Sequence, residues 1–187
     1  MTKILGVDVG YGRCGWGVVE DNGCTLRLVE CGVIETQASQ PFPQRLRIVK
    51  EMISLLAGGR GFNVDAIAVE KPIHGHNVTN SAEVGAAYGA VLLATTEMSV
   101  PLFVYYPSQV KAAVSKGNAK KKEIQEAVKL LLGLAKIPRP DDAADGVAVA
   151  VCAAKRYAFD ILEKQNAQTT QEPVTRRRSG GTSVNKA

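Results

Sequence analysis

The first third of the chain carries the alternating hydrophobic and polar pattern of a sheet. Residues 4–10, Ile-Leu-Gly-Val-Asp-Val-Gly, form a short apolar run typical of a buried strand. An Asn-Gly turn at residues 22–23 lies between two further strand patterns. Strands are predicted at residues 4–10, 16–20, 24–30, 31–36, 64–70 and 101–106.

Helical spacing appears between these strands. Apolar side chains at Leu46, Val49, Ile53 and Leu56 predict an amphipathic helix over residues 44–57. Further helices are predicted at residues 80–98, 108–114 and 121–134, and from Pro138 onward.

The helix at residues 80–98 is apolar on most sides and must therefore be covered on most sides. It carries a stripe of small residues that would allow another backbone to approach closely, either within the fold or in a dimer partner. The stripe consists of Ala82, Gly85, Ala86, Gly89, Ala90 and Leu93.

Two of the predicted strands carry a carboxylate among small side chains. Asp8 shares a strand face with Gly6 and Gly10, and Glu70 ends a strand on the face of Ala66 and Ala68. A buried ionised carboxylate costs several kcal/mol, on the order expected for uncompensated charges, unless a cation or hydrogen bonds compensate it. Glu70 alone could be a solvated residue paired with the adjacent lysine, but the parallel with Asp8 favours a metal ligand.

The last predicted helix opens with three acids, Asp141, Asp142 and Asp145. Acids in a first helical turn are ordinary start signals, which accounts for the first two. Asp145 instead shares the buried side of the helix with Ala148 and Cys152, and spacing lets either Asp141 or Asp142 join it there. Carboxylate oxygens with no Cys or His beside them favour hard ions such as Mg²⁺ or Mn²⁺. Two such ions held together can act on a phosphodiester.

The positive charge of the chain is concentrated in two segments. The formal net charge is +5, of which residues 165–187 hold +3, so we expect a folded domain at 1–164 and a basic, disordered tail at 165–187. Within the body, five lysines and no acid lie between residues 111 and 122, either as a solvated face or as a surface for phosphates. They are Lys111, Lys116, Lys120, Lys121 and Lys122.

The chain of 187 residues shows neither a secretory signal nor a membrane-spanning stretch, which predicts a cytoplasmic protein with reduced cysteines and no membrane partner. Residues 10–15 spell Gly-x-Gly-x-x-Gly, but strand patterns follow instead of a helix, so a dinucleotide site is disfavoured. We expect these glycines to let a substrate backbone approach Asp8. A loop at residues 72–79 carries His74 and His76 and is expected to face the substrate.

Taken together, the segments at residues 5–10, 68–70, 109–111 and 142–145 resemble the RuvC family of Holliday-junction resolvases, in order and over about residues 3–160. The resemblance implies an α/β RNase H-like fold with a mixed five-stranded sheet flanked by helices. It assigns metal coordination and catalysis to Asp8, Glu70, Asp142 and Asp145, and a catalytic contact with the scissile phosphate to Lys111.

The resemblance also implies partners and DNA contacts. Members are homodimers that nick symmetric strands of a four-way DNA junction, leaving 5′-phosphates and 3′-hydroxyls, and a branch-migration helicase complex is a further expected partner. DNA contacts are expected from Ile73, His74, Asn77 and the five lysines. The chain departs from the family pattern at Val9, where proline is usual, at Ile73, near the place of an aromatic wedge, and at Tyr88, where arginine is common.

Three other functions fit part of the pattern. A YqgF-type nuclease of the same fold would act on structured RNA. An actin-like ATPase half would need a second module, and the chain has no internal repeat. A non-catalytic junction-binding dimer would not depend on Asp8.

Overall fold

The structure, a computed structural model, describes residues 1–59, 61–73, 80–116 and 119–170. Its strands are β1 (Thr2–Asp8), β2 (Arg13–Asp21), β3 (Leu26–Glu35), β4 (Ala66–Glu70) and β5 (Leu102–Tyr105). Its helices are α1 (Phe42–Ala57), α2 (Ser81–Thr96), α3 (Pro107–Val114), α4 (Lys121–Leu131) and α5 (Asp141–Thr170). Met1–Tyr157 is one compact unit that contains the whole sheet, and the described residues from 158 onward belong to a second unit.

The five strands form one sheet in the order β3-β2-β1-β4-β5. β1, β2 and β3 pair in antiparallel fashion, whereas β1, β4 and β5 are parallel. The predicted α/β fold with a mixed five-stranded sheet is thereby confirmed. Parallel strands require a crossover connection, which α1 supplies between β3 and β4 and α2 between β4 and β5.

One strand prediction was wrong. Residues 24–30 and 31–36 were expected to be separate strands, but β3 runs without interruption over Leu26–Glu35. The whole of β3 pairs with β2, with one irregularity: Val18 pairs with Glu30 and Val19 with Leu28, so Val29 forms a bulge.

The main core lies between the sheet and the helices α1 and α2. Leu5 and Val7 of β1 contribute to it together with Ile53 of α1 and Val91 of α2, and all four side chains are fully buried. Along β1, Leu5 and Val7 alternate with Gly6 and Asp8, so Gly6 and Asp8 lie on the opposite face of the sheet. That opposite face is covered by α5.

Helix α5 packs directly on glycines of the sheet, so that its backbone lies close to the backbone of β1 and β2. A Cβ atom on Gly6 would lie 2.2 Å from the backbone nitrogen of Ala150, and one on Gly17 would lie 2.4 Å from a methyl group of Val147. A Cβ on Gly15 would lie 1.9 Å from the carbonyl oxygen of Asp142. The expectation that the glycines near Asp8 make room for substrate is therefore wrong for Gly15, because the space beside it is filled by α5.

The other element predictions agree with the structure within a few residues. The segment after Gly10 opens a strand at Arg13 and not a helix, which removes the context that a dinucleotide fingerprint needs. Helix α5 continues to Thr170, beyond the predicted domain boundary at residue 164, and residues 171–187 lie outside the described part of the chain. Within the described residues, no helix is long and apolar enough to cross a membrane.

Candidate metal centre

Asp8 is the last residue of β1 and lies at the centre of the site. Its backbone pairs with Gly15 of β2, and its side chain projects from the face that α5 covers. Because Gly15 has no side chain, the first turn of α5 can approach the end of β1. The sheet therefore supplies one carboxylate and the space for the others.

Helix α5 brings in two more carboxylates. Asp142 and Asp145 are three residues apart in its first turns, a spacing that puts both on one side of a helix. Asp8, Asp142 and Asp145 each offer a carboxylate oxygen, and these oxygens all lie within 4.8 Å of one another. Asp8 and Asp142, which are 134 positions apart in the sequence, thus converge on one point.

The geometry also distinguishes Asp142 from Asp141, which the spacing could not do. Asp141 accepts a hydrogen bond from the Arg139 guanidinium and does not belong to the group of three. Asp142 lies within it.

The donor set fits a hard divalent cation. Magnesium takes oxygen ligands at about 2.0–2.1 Å in octahedral geometry, so its ligand oxygens lie roughly 3–4 Å apart. The oxygens of the three carboxylates lie within 4.8 Å of one another, close to that range. The site has the charge and the ligand chemistry for Mg²⁺ or Mn²⁺ and lacks the sulfur ligands that zinc often takes.

Glu70 lies beside the group of three. It ends β4, the strand parallel to β1, and faces a pocket of about 200 Å³ between the sheet, α3, α4 and α5. The pocket is lined by Glu70, Val110, Lys111, Lys121, Ile124, Asp145 and Ala148. Two acids and two lysines therefore share one small cavity.

Burial and mutual repulsion raise the pKa values of three acids at the site. Burial, with added repulsion from Asp145 and Asp142, raises the pKa of Asp8 to about 6. Burial, with repulsion from Asp8 and Asp145, raises the pKa of Glu70 to about 7. The pKa of Asp145 is also raised by burial, against the opposing hydrogen bond from Lys121. A divalent cation would reverse these effects by stabilising the charged forms.

The five lysines divide into separate groups. The Lys121 ammonium donates a 2.8 Å hydrogen bond to Asp145, and Lys111 lines the same pocket as Glu70. Lys116 and Lys120 line a different pocket of about 370 Å³, and Lys122 is exposed on the first turn of α4. Of the five lysines, therefore, Lys111 and Lys121 lie at the carboxylates.

The structure locates some of the remaining predicted contact residues. Ile73 is 63% exposed just after β4, as a DNA-contacting side chain would need to be. His74 and Asn77 lie outside the described residues. Tyr88, where the family commonly has arginine, packs against the main core from α2.

One residue at the site, Arg13, was not predicted from the sequence. The Arg13 guanidinium donates a 2.7 Å hydrogen bond from Nε to Asp142 and contacts Glu35 through Nη1. The strand alternation of Arg13, Gly15 and Gly17 carried the signal, because it places Arg13 on the sheet face of Asp8.

Comparison with known proteins identifies the family. The family model described as crossover junction endodeoxyribonuclease RuvC matches residues 4–153, most of the chain. The protein belongs to the RuvC family. Among its relatives, the RuvC of Rubrobacter xylanophilus is 46% identical over 151 residues, covering 80% of this chain and 83% of that one. The RuvC of Chloroflexus aggregans is 44% identical over 167 residues, covering 87% and 97%.

Solved RuvC structures agree with the fold. Thermus thermophilus RuvC superposes with a TM-score of 0.76 at 33% identity, covering 85% of this chain and 97% of that chain. The same protein in complex with a Holliday junction substrate gives a TM-score of 0.75 at 31% identity, covering 85% and 96%. The RNase H-like fold implied by the resemblance is confirmed.

Proposed function

We propose that this RuvC-family protein is a metal-dependent endonuclease that resolves four-way DNA junctions. Paired cleavage at symmetric phosphodiester bonds would leave 5′-phosphate and 3′-hydroxyl ends. The observation that carries the proposal is the convergence of Asp8, Asp142 and Asp145 at the end of the central strand, next to a pocket that holds Glu70 and two lysines.

Two Mg²⁺ ions would be held by the four acids. Asp8, Asp142 and Asp145 form one set of ligands, and Glu70 extends the set across the pocket. Bound as a pair, such ions activate a water and stabilise the leaving oxygen of a phosphodiester. The protein itself supplies a rigid arrangement of ligands, since β1 and β4 are adjacent parallel strands and α5 contacts β1 and β2 at backbone distance.

Lys111 and Lys121 would act on the phosphate. Both line the pocket that Glu70 and Asp145 share, so a phosphate entering it would meet two ammonium groups. Lys121 already donates to Asp145, which fixes its position at the edge of the cluster. Positive charge placed where negative charge develops in the transition state lowers the barrier. Lys116, Lys120 and Lys122 would instead contact phosphates farther along the DNA.

A homodimer would supply the second cleavage site. On α2 the buried residues are Ala87, Ala90, Val91, Ala94 and Thr95, whereas much of the small-residue stripe points elsewhere. A Cβ on Gly85 or Gly89 would have open space around it, and Leu93 is 62% exposed. This smooth surface supports a pairing of α2 with the same helix of a second copy. The helicase partner and the cytoplasmic location stay predictions.

The test is cleavage of a synthetic mobile four-way junction with Mg²⁺. Asp142→Asn is expected to abolish cleavage while retaining junction binding, because removing a negative charge does not weaken contact with phosphates. Asp141→Asn is the matched control: it changes the adjacent acid, which pairs with Arg139 outside the group of three, and should cleave like the parent. Equal cleavage by the Asp142 variant and the parent would refute the proposal.

Two further substrates separate the alternative functions. Faster cleavage of structured RNA than of the junction would favour a nuclease of the YqgF type. ATP hydrolysis that survives in Asp142→Asn would point to an actin-like ATPase. An EDTA control establishes that the observed cleavage needs a divalent cation.

A further inference from the structure

Arg13 connects a carboxylate of the metal centre with one outside it. Its Nε donates to Oδ2 of Asp142 at 2.7 Å, and its Nη1 contacts Oε1 of Glu35. Arg13 and Glu35 are direct partners in the β2–β3 pairing, so their side chains leave the same face of the sheet side by side. We refer to these two residues as the clasp.

The backbone beneath the clasp is held on both sides. The amide of Thr36 donates to the carbonyl of Gly12 at 3.0 Å, and its hydroxyl donates to the carbonyl of Tyr11 at 2.6 Å. Arg45 of α1 donates to the same hydroxyl at 2.8 Å and lies over the Tyr11 ring. The segment that precedes Arg13 is thereby fixed to the end of β3 and to α1, so Arg13 is a defined support for Asp142.

We propose that Arg13, held by Glu35, is a positioning residue that fixes the Asp142 carboxylate for a divalent cation. The inference rests on the proposed function of the same site. Arg13 occupies Oδ2 of Asp142 and leaves Oδ1 for the cation. Groups that orient a metal ligand in this way typically contribute about 10- to 100-fold to metal affinity.

Two physical effects of Arg13 on a bound cation have opposite signs. Orientation of Asp142 favours cation binding, whereas the positive charge of the guanidinium opposes it. Glu35 compensates much of that charge, because it contacts the other end of the same guanidinium. The orienting effect therefore dominates, and loss of either clasp residue weakens cation binding.

The test is titration of the full-length protein with Mn²⁺ at pH 8, without DNA, by calorimetry and by the electron paramagnetic resonance of bound Mn²⁺. Arg13→Gln is expected to weaken Mn²⁺ binding by about 10-fold, at the lower end of the effect of such supporting groups. Glu35→Gln changes an exposed residue that pairs with Arg13 and is not one of the three clustered acids, and is expected to weaken Mn²⁺ binding in the same direction by less. A purely electrostatic role predicts opposite signs, with tighter binding in Arg13→Gln, and this result would overturn the proposal.

Matched variants make the outcome specific. Arg139→Gln removes another arginine–aspartate pair at the start of α5, one residue away from Asp142, and should leave Mn²⁺ affinity unchanged. Asp8→Asn separates the two proposals. If it leaves Mn²⁺ affinity unchanged, the metal centre itself is wrong; if it removes binding while both clasp variants bind like the parent, only the clasp is wrong. Thermal unfolding in EDTA identifies any misfolded variant. If Arg13→Gln is one, Arg13→Lys decides, because it keeps the positive charge: a purely electrostatic role predicts Mn²⁺ binding like the parent, whereas a positioning role predicts weaker binding.

Discussion

The carbonyl oxygen of Asp142 lies 1.9 Å from the position that a Cβ atom on Gly15 would occupy. Gly15 is also the residue that pairs with Asp8 across β1 and β2. The absence of one side chain in β2 therefore determines how closely the first turn of α5 approaches the end of β1. The distance between the carboxylates depends on this contact.

Gly15→Ala is expected to push the start of α5 away from the sheet, because a backbone carbonyl cannot move as a flexible side chain would. Insertion of a methyl group into such a contact costs about 1–3 kcal/mol of stability. We expect loss of Mg²⁺-dependent cleavage together with weaker Mn²⁺ binding, measured on protein that is still folded by circular dichroism. Gly59→Ala is the control, since a Cβ there would meet nothing within 4 Å. Full activity in Gly15→Ala would show that the contact can relax without disturbing the metal centre.

The raised pKa values predict how stability depends on pH without metal. The pKa of Asp8 is raised from 3.8 to about 6 and that of Glu70 from 4.5 to about 7. Between those limits the folded protein binds more protons than the unfolded chain, so its stability falls as the pH rises from about 4 to about 7. Mg²⁺ should restore stability above pH 7 and have little effect below pH 5, as measured by thermal unfolding with EDTA or Mg²⁺. A Mg²⁺ effect of equal size at both pH values would contradict the assigned acids.

Asp8→Asn isolates the contribution of one of these two acids. The pKa shift of Asp8 corresponds to a cost on the order of 3 kcal/mol for its ionised form, at about 1.4 kcal/mol for each pKa unit. The variant should therefore be more stable than the parent in EDTA at pH 8, by up to about that amount, although it no longer cleaves. Lower stability in EDTA would mean that the ionised carboxylate is compensated by the protein itself.

Lys111 and Lys116 are expected to differ although both are exposed lysines of the same segment. Lys111 lines the pocket with Glu70 and Asp145, whereas Lys116 lines the other pocket. Lys111→Ala should lower the cleavage rate about 10²- to 10³-fold with little change in junction affinity, as for the loss of one group that stabilises a transition state. Lys116→Ala should weaken binding and lower the salt dependence by about one phosphate contact. Equal and proportional losses in both variants would assign Lys111 to docking.

The sequence predicted most elements because hydrophobic periodicity reports directly which face of a strand or helix is buried. The strand faces of Asp8 and Glu70 followed from alternation, and the helical face of Asp145 from three- and four-residue spacing. Alternation could not show that α5 lies against Gly6, Gly15 and Gly17, because a glycine carries no information about what covers it. Alternation places Arg13 on the sheet face of Asp8, but its contact with Asp142 also depends on where α5 begins relative to β2, which the pattern of the sequence does not show.

The proposed dimer surface on α2 can be tested by charge. Leu93→Glu places a carboxylate on an exposed apolar position beside Gly89, where a second α2 would pack, and should convert the protein to monomers at micromolar concentration. Leu130→Glu is the same substitution at a 75% exposed leucine of α4 and should leave the oligomeric state unchanged. Light scattering coupled to size exclusion measures both. If the dimer carries out paired cleavage, the monomeric variant should release singly nicked junctions, because its sites act independently. Dimers in Leu93→Glu, or monomers in Leu130→Glu, would move the interface away from α2.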